Sequence, residues 1–233
     1  MSEETVSNNI ERLRERVALA CAGSGRQPGA VDIIAVSKTF GTDRIREAYD
    51  AGMRLFGENR VQEARDKSPG MPEGISLHLI GHLQSNKAKY VPGLFDTVQS
   101  VDSLGLAAEL DKACAKKGAL LKVLIQVKSG DEASKSGVKA KELEPLVQGL
   151  AGMTNIKLSG LMTIAPLDAE GEKAAPYFRK LYSLFESLRT GWPDNMKYLS
   201  MGMSGDFEYA IREGANMIRV GSLVFGGRSQ KAV

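Results

Sequence analysis

Val31-Asp32-Ile33-Ile34-Ala35-Val36-Ser37-Lys38-Thr39 is the first apolar run of the chain. It is short, β-branched and almost uninterrupted, the pattern of a strand covered on both faces in a parallel sheet. A lysine closes it. In barrels and open α/β sheets, binding sites lie at the C-terminal ends of strands. An amine placed there can lose hydration, lower its pKa and form a Schiff base with an aldehyde. Most lysines are solvated and many simply follow a strand, so position alone does not make Lys38 functional.

Seven further apolar runs follow, at residues 54–58, 77–81, 97–101, 122–127, 158–164, 198–201 and 217–221. Amphipathic stretches with helical spacing separate several of them, at 42–51, 103–117, 140–150 and 172–188, with a helix at 206–213 between the last two runs. Gly118 supplies a C-terminal stop for the second of these stretches. Eight strands alternating with helices predict a single (β/α)8 TIM barrel spanning 1–233. Residues 6–22 add a helix before the first strand, expected to cover the barrel bottom or pack outside. The competing fold, an open doubly wound sheet, would show a Gly-rich phosphate turn after its first strand. Ser37-Lys38-Thr39-Phe40-Gly41 matches neither G-x-G-x-x-G nor the P-loop.

Composition is that of an ordinary globular domain: 233 residues, 42% hydrophobic and 25% charged. The formal charge of +3 gives no reason to expect nucleic acid or a membrane surface as partner. Cys21 and Cys114 stand far apart without a C-x-x-C pattern, which fits a reducing compartment. The acidic N-terminus lacks the features of a signal peptide, and no apolar run reaches transmembrane length. A cytoplasmic protein is expected.

Ser200-Met201-Gly202-Met203-Ser204-Gly205-Asp206 follows the seventh strand. Small residues let backbone amides approach an anion, and barrels commonly bind phosphate after strands seven and eight. Ser204 and Asp206 could equally cap a helix. Gly221-Ser222 forms a second small turn after the eighth strand. Arg219 sits inside that strand, either in a structural ion pair or aimed at a ligand near Lys38, because first and last strands adjoin in a closed barrel. Asn59 reads as a helix cap or a ligand donor, and Met162 as core or a ligand contact. The two histidines, His78 and His82, exclude a three-histidine zinc site, and neither has a nucleophile partner in the sequence, so no metal and no hydrolase triad are expected. Lys87, Lys89, Lys116 and Lys117 read as solvated helix surface. A Schiff-base lysine, a phosphate cup and a positioned arginine on one barrel face suit a phosphorylated aldehyde such as pyridoxal 5'-phosphate (PLP).

The stretches Ala35–Thr39, Phe56–Asn59, His78–Lys87, Gly160–Ile164, Ser200–Asp206 and Ile218–Ser222 recur in this order and resemble those of the pyridoxal phosphate homeostasis proteins. The resemblance implies a barrel related to the N-terminal domain of alanine racemase, with PLP bound as an aldimine on Lys38. It implies that Ser204, Gly205, Gly221 and Ser222 hold the phosphate, that Arg219 faces the pyridine nitrogen, and that Asn59 and Met162 lie beside the ring. An arginine there disfavours a protonated ring and so weakens the electron sink needed for carbanion chemistry. Alanine racemase has a second, β-rich domain that supplies a catalytic tyrosine across a dimer interface. This chain ends soon after its eighth strand, so a monomer without that second base is expected. The Gln126-Val127-Lys128 stretch departs from the family pattern, where a small polar residue is expected at Lys128. The leading expectation is a PLP carrier, with apo PLP-dependent enzymes as acceptors. A racemase or lyase using one base, and a barrel aldolase using Lys38, are the alternatives.

Overall fold

The computed structural model describes residues 5–130, 136–166 and 168–227. Its centre is a closed barrel of parallel strands in chain order: β1 (Asp32–Val36), β2 (Leu55–Glu58), β3 (Ser76–Leu79), β4 (Thr97–Val101), β5 (Leu121–Gln126), β6 (Ile156–Met162), β7 (Tyr198–Ser200) and β8 (Met217–Val220). Closure comes from β1 pairing with β8, in the register Ile34↔Arg219 and Ala35↔Val220. On its other side β1 pairs with β2, Val36 opposite Gly57.

Helices α1 (Val6–Gly23), α2 (Thr42–Asp50), α3 (Val61–Lys67), α4 (Leu104–Lys117), α5 (Ala140–Leu150), α6 (Ala175–Gly191), α7 (Phe207–Arg212) and α8 (Ser222–Phe225) surround the sheet. The sequence reasons for them are local. In α1, Val6, Ile10, Leu13, Val17, Ala20 and Cys21 recur at helical spacing and are buried, and Thr5 caps the start by accepting from the Asn8 amide at 3.2 Å. This stripe packs outside the barrel, against α2, α7 and α8. Ser103 caps α4, and Gly118 ends it in the left-handed conformation at φ 59°. Between helices and sheet lies the main apolar core, with Phe56, Phe178 and Phe207 fully buried. Among the described residues, no helix is long and apolar enough to cross a membrane.

The structure shifts several expected boundaries. β1 ends at Val36, so Lys38 lies in the turn beyond it, where the Phe40 amide donates to the Ser37 carbonyl at 3.1 Å. The helix expected from residue 172 is a 3-10 turn over Gly171–Ala174 followed by α6, whose first turn accommodates Pro176 because the missing N–H would have no intrahelical partner there. A 3-10 helix, Ser85–Tyr90, takes the helix position after β3.

β6 contains one close approach that only glycine permits. Gly160 sits at φ +147°, and a Cβ on it would stand 1.9 Å from the Tyr198 carbonyl oxygen of β7. Gly105, in α4, has open space around its Cα. Gly160→Ala is therefore expected to cost about 3 kcal/mol or more, and Gly105→Ala to gain about 0.5 kcal/mol. Urea unfolding of both variants checks the contrast. Equal effects would mean that the β6–β7 approach does not constrain the barrel.

Candidate functional site

The C-terminal ends of the strands surround a cavity of about 470 Å³. Seven sequence-predicted residues line it: Lys38 beyond β1, Asn59 beyond β2, Ser204 and Gly205 beyond β7, Arg219 in β8, and Gly221 with Ser222 beyond β8. Met162, at the end of β6, is fully buried and is not among the lining residues. Phe40, Ile80, Ile164, Met203 and Glu170 complete much of the wall and carried no functional signal in the sequence.

Of the residues lining the cavity, Ser204, Gly205 and Ser222 have amides that are not used in any hydrogen bond among the described residues. The Ser204 and Ser222 hydroxyls stand beside them, and a Cβ on Gly205 would meet only open space. The cap alternative for this loop does not hold. Asp206 accepts from the Met203 amide, reaching back into the loop, and makes no side-chain cap on α7. Burial raises the Asp206 pKa above the usual carboxylate value, opposed by that amide and by the Arg219 charge. Asn59 likewise does not cap α3, whose N-cap is Arg60. Gly81 keeps its place beside Asn59 because a Cβ there would lie 2.3 Å from the Asn59 carbonyl oxygen.

Arg219 is buried, and among the described residues no carboxylate lies within ion-pair distance of it. Its Nη1 donates to Ser200 Oγ at 2.6 Å and its Nη2 to the Thr163 carbonyl at 2.8 Å. Desolvation lowers its pKa to about 10, so it remains a cation at neutral pH. From Ser200 the chain of bonds continues inward. Ser200 Oγ donates to Gln99 Oε1 at 2.6 Å, and Gln99 Nε2 lies 2.9 Å from His78 Nδ1. An amide nitrogen only donates, so His78 Nδ1 is the acceptor and the ring is neutral with its proton on Nε2. The relay links β8, β7, β4 and β3 and holds the guanidinium in one orientation. Gln99 and Ser200 are polar residues within otherwise buried strands, a signal that could have marked them in the sequence.

A second polar network lies behind Lys38, away from the cavity lining. Glu58, fully buried at the end of β2, accepts from Ser37 Oγ at 2.7 Å and from Lys67 Nζ at 2.9 Å. Burial raises its pKa, opposed by Lys67 and Ser37. The bond from Lys67 helps hold the Glu63 carboxyl below the usual value despite partial burial. Of the histidines expected at the end of β3, His78 is inside the barrel. His82 is exposed, 3.1 Å from Ser136 Oγ and 3.9 Å from Asp102.

This fold and site have known counterparts. The alanine racemase N-terminal domain model matches residues 4–229. A pyridoxal phosphate homeostasis protein of Aquifex aeolicus is 40% identical over 220 residues, spanning 94% of this chain and 96% of its own. The chain belongs to the pyridoxal phosphate homeostasis protein family. The Escherichia coli K12 protein of that family is 38% identical over 227 residues, 96% of this chain and 97% of its own. PipY of Synechococcus elongatus PCC7942, solved with PLP bound, shares 38% identity at a TM-score of 0.79 over 91% of this chain and 99% of its own. An alanine racemase of Clostridium difficile, at 14% identity and TM-score 0.75, covers 99% of this chain with 59% of its own and shares the fold.

His78 couples the relay to pH. Burial lowers its pKa from 6.5 to about 4. Between those values the unfolded chain binds more protons than the folded one, so stability is lost as pH falls from about 6.5 towards 4. The loss reaches about 3 kcal/mol. Urea unfolding at pH 7 and pH 4.5 should show a smaller pH-dependent loss in His78→Asn than in the parent. An unchanged loss would show that His78 is not held neutral.

Proposed function

We propose that this chain binds PLP in the cavity above the barrel, as a Schiff base on Lys38, and takes part in PLP homeostasis by buffering the cofactor and handing it on. The observation that carries this reading is that Lys38, Arg219 and the Ser204–Gly205 and Gly221–Ser222 turns all line one cavity. A phosphorylated aldehyde needs anion donors at one end and an amine within reach of its carbonyl, and these residues are of both kinds. The family name of the relatives, and the PLP bound in PipY, support the same cofactor.

The fit is chemical. Backbone amides and serine hydroxyls that serve no other acceptor suit a phosphate without adding charge to the site. Lys38 is the residue that would hold the aldehyde carbon, as a Schiff base formed with loss of water once its amine is neutral. PLP held in this way supplies an electron sink, and the strength of that sink depends on what faces its ring nitrogen. Arg219 remains protonated and has no acceptor for a ring proton, so, facing that nitrogen as the resemblance implies, it would leave the nitrogen unprotonated and the sink weak. The relay through Ser200, Gln99 and His78 fixes the arginine in this role.

Turnover of amino acids by racemisation also needs acid/base groups on both faces of the substrate carbon. Among the described lining residues there is no tyrosine, histidine or cysteine. This composition favours storage and transfer over turnover. The reading extends to a monomeric cytoplasmic protein whose acceptors are apo PLP-dependent enzymes. One observation keeps the racemase or lyase reading open as a second: Glu170 also lines the cavity and is a carboxylate that could move a proton.

The PLP-loaded protein is expected to absorb in the visible range, and Lys38→Ala to lose this band and bind PLP at least tenfold more weakly. Mixed with an apo PLP-dependent enzyme, the loaded protein should restore that enzyme's activity. Deuterium exchange at Cα across a panel of amino acids should stay at background. Fast exchange that disappears in both Lys38→Ala and Glu170→Gln would replace the carrier reading with the enzymatic one.

A further inference from the structure

We propose that Glu63 and Lys67 of α3 are positioning residues that aim the Lys38 side chain, by holding the peptide groups on both sides of it. This rests on the reading of Lys38 as the PLP-bearing lysine, and assigns its direction to residues outside the cavity.

The geometry brackets a single residue. On the N-terminal side, Lys67 Nζ donates to the Ser37 carbonyl at 3.0 Å. On the C-terminal side, the Thr39 amide donates to Glu63 Oε1 at 2.6 Å. The two clamping side chains, one helical turn apart on α3, are themselves paired at 2.6 Å. Lys67 also pairs at 2.9 Å with Glu58, which is fully buried and accepts from Ser37 Oγ. The peptide planes before and after Lys38 are thus tied to one helix, while the residue's side chain lines the cavity. Glu58, Glu63 and Lys67 do not line that cavity.

The clamp opposes a backbone preference. Thr39 has φ +70°, the only positive φ at a non-glycine position among the described residues. A β-branched residue there is a true outlier, because its Cβ crowds the neighbouring carbonyl. Strain of this kind persists only where the surroundings over-determine it. Released from Glu63, Thr39 relaxes to negative φ, the peptide joining it to Lys38 rotates, and the amine leaves its place in the cavity. On the far side of the turn, Phe40 is stacked on Phe225 of α8 with centroids 4.8 Å apart. Rotation is therefore concentrated between Lys38 and Thr39.

Glu63 is the site to test, because it is partly exposed on α3 and its removal takes away no atom of the buried Glu58–Lys67 pair. Two readouts apply to the full chain: affinity for added PLP by the visible band, and, without PLP, the rate of Lys38 methylation by formaldehyde and cyanoborohydride, read by mass spectrometry against the other lysines. Glu63→Ala should weaken PLP binding about tenfold and change the Lys38 methylation rate severalfold. Glu63→Gln retains an acceptor for the Thr39 amide and should stay near the parent. Adding Thr39→Gly to Glu63→Ala removes the steric reason to leave positive φ and should recover most of both losses. The proposal is overturned if Glu63→Ala matches the parent in methylation, or if its losses persist unchanged in the double variant. A parent that takes up no PLP on Lys38 would instead remove the function reading, and the methylation series alone would then decide whether the clamp exists.

Discussion

Everything at the site depends on the pairing of β1 with β8. These strands are at opposite ends of the chain, yet their register places Ile34 against Arg219 and Ala35 against Val220. Closure brings the turn that carries Lys38 beside the turn that carries Gly221 and Ser222. It also removes every sheet edge, which an open parallel sheet of this length would leave to be covered. A cavity assembled from the ends of the first, second, third, sixth, seventh and eighth strands exists only in the closed form.

Closure also sets the problem that the interior solves. Arg219 is a cation in a buried strand with no carboxylate at ion-pair distance among the described residues. A charge stranded in such a place is costly, and neutral donors and acceptors have to replace water around it. Ser200 and the Thr163 carbonyl do so directly, and Gln99 and His78 extend the support across the barrel. The arginine and the lysine are held by separate devices. One is an inward relay of neutral groups from four strands. The other is an outward, charged clamp on α3. Among the described residues, the amides of Ser204, Gly205 and Ser222 are left without an acceptor within the protein.

The alternation of short β-branched runs with amphipathic stretches carries the fold, since period and run length are local properties that the barrel only has to satisfy. Lys38, Asn59, Ser204, Gly205, Gly221 and Ser222 were legible for a related reason: each follows a strand, and strand ends converge in a barrel; Arg219 was legible as a charge inside an apolar strand. Glu170 was not, because it lies in the loop between β6 and α6 and its approach to the cavity depends on where that loop folds. Gln99 and Ser200 carried a signal that was not used, as polar residues in apolar strands, and which of them meet depends on the stagger between strands. Glu63 and Lys67 looked like ordinary helix-surface charges. Their role appears only once α3 is docked behind the turn and Thr39 is seen at positive φ. Met162 shows the converse limit. Its position at a strand end suited either core or a ligand contact, and its side chain is fully buried and not among the lining residues of the cavity.

The central claim is that one amine, placed by barrel closure, carries the cofactor. The most direct measurement is borohydride reduction of the PLP-loaded protein followed by peptide mapping of the fixed adduct. The account predicts a single phosphopyridoxyl modification, on Lys38, at about one per chain. A modification spread over surface lysines, or one concentrated at another residue while Lys38 stays unmodified, would contradict it.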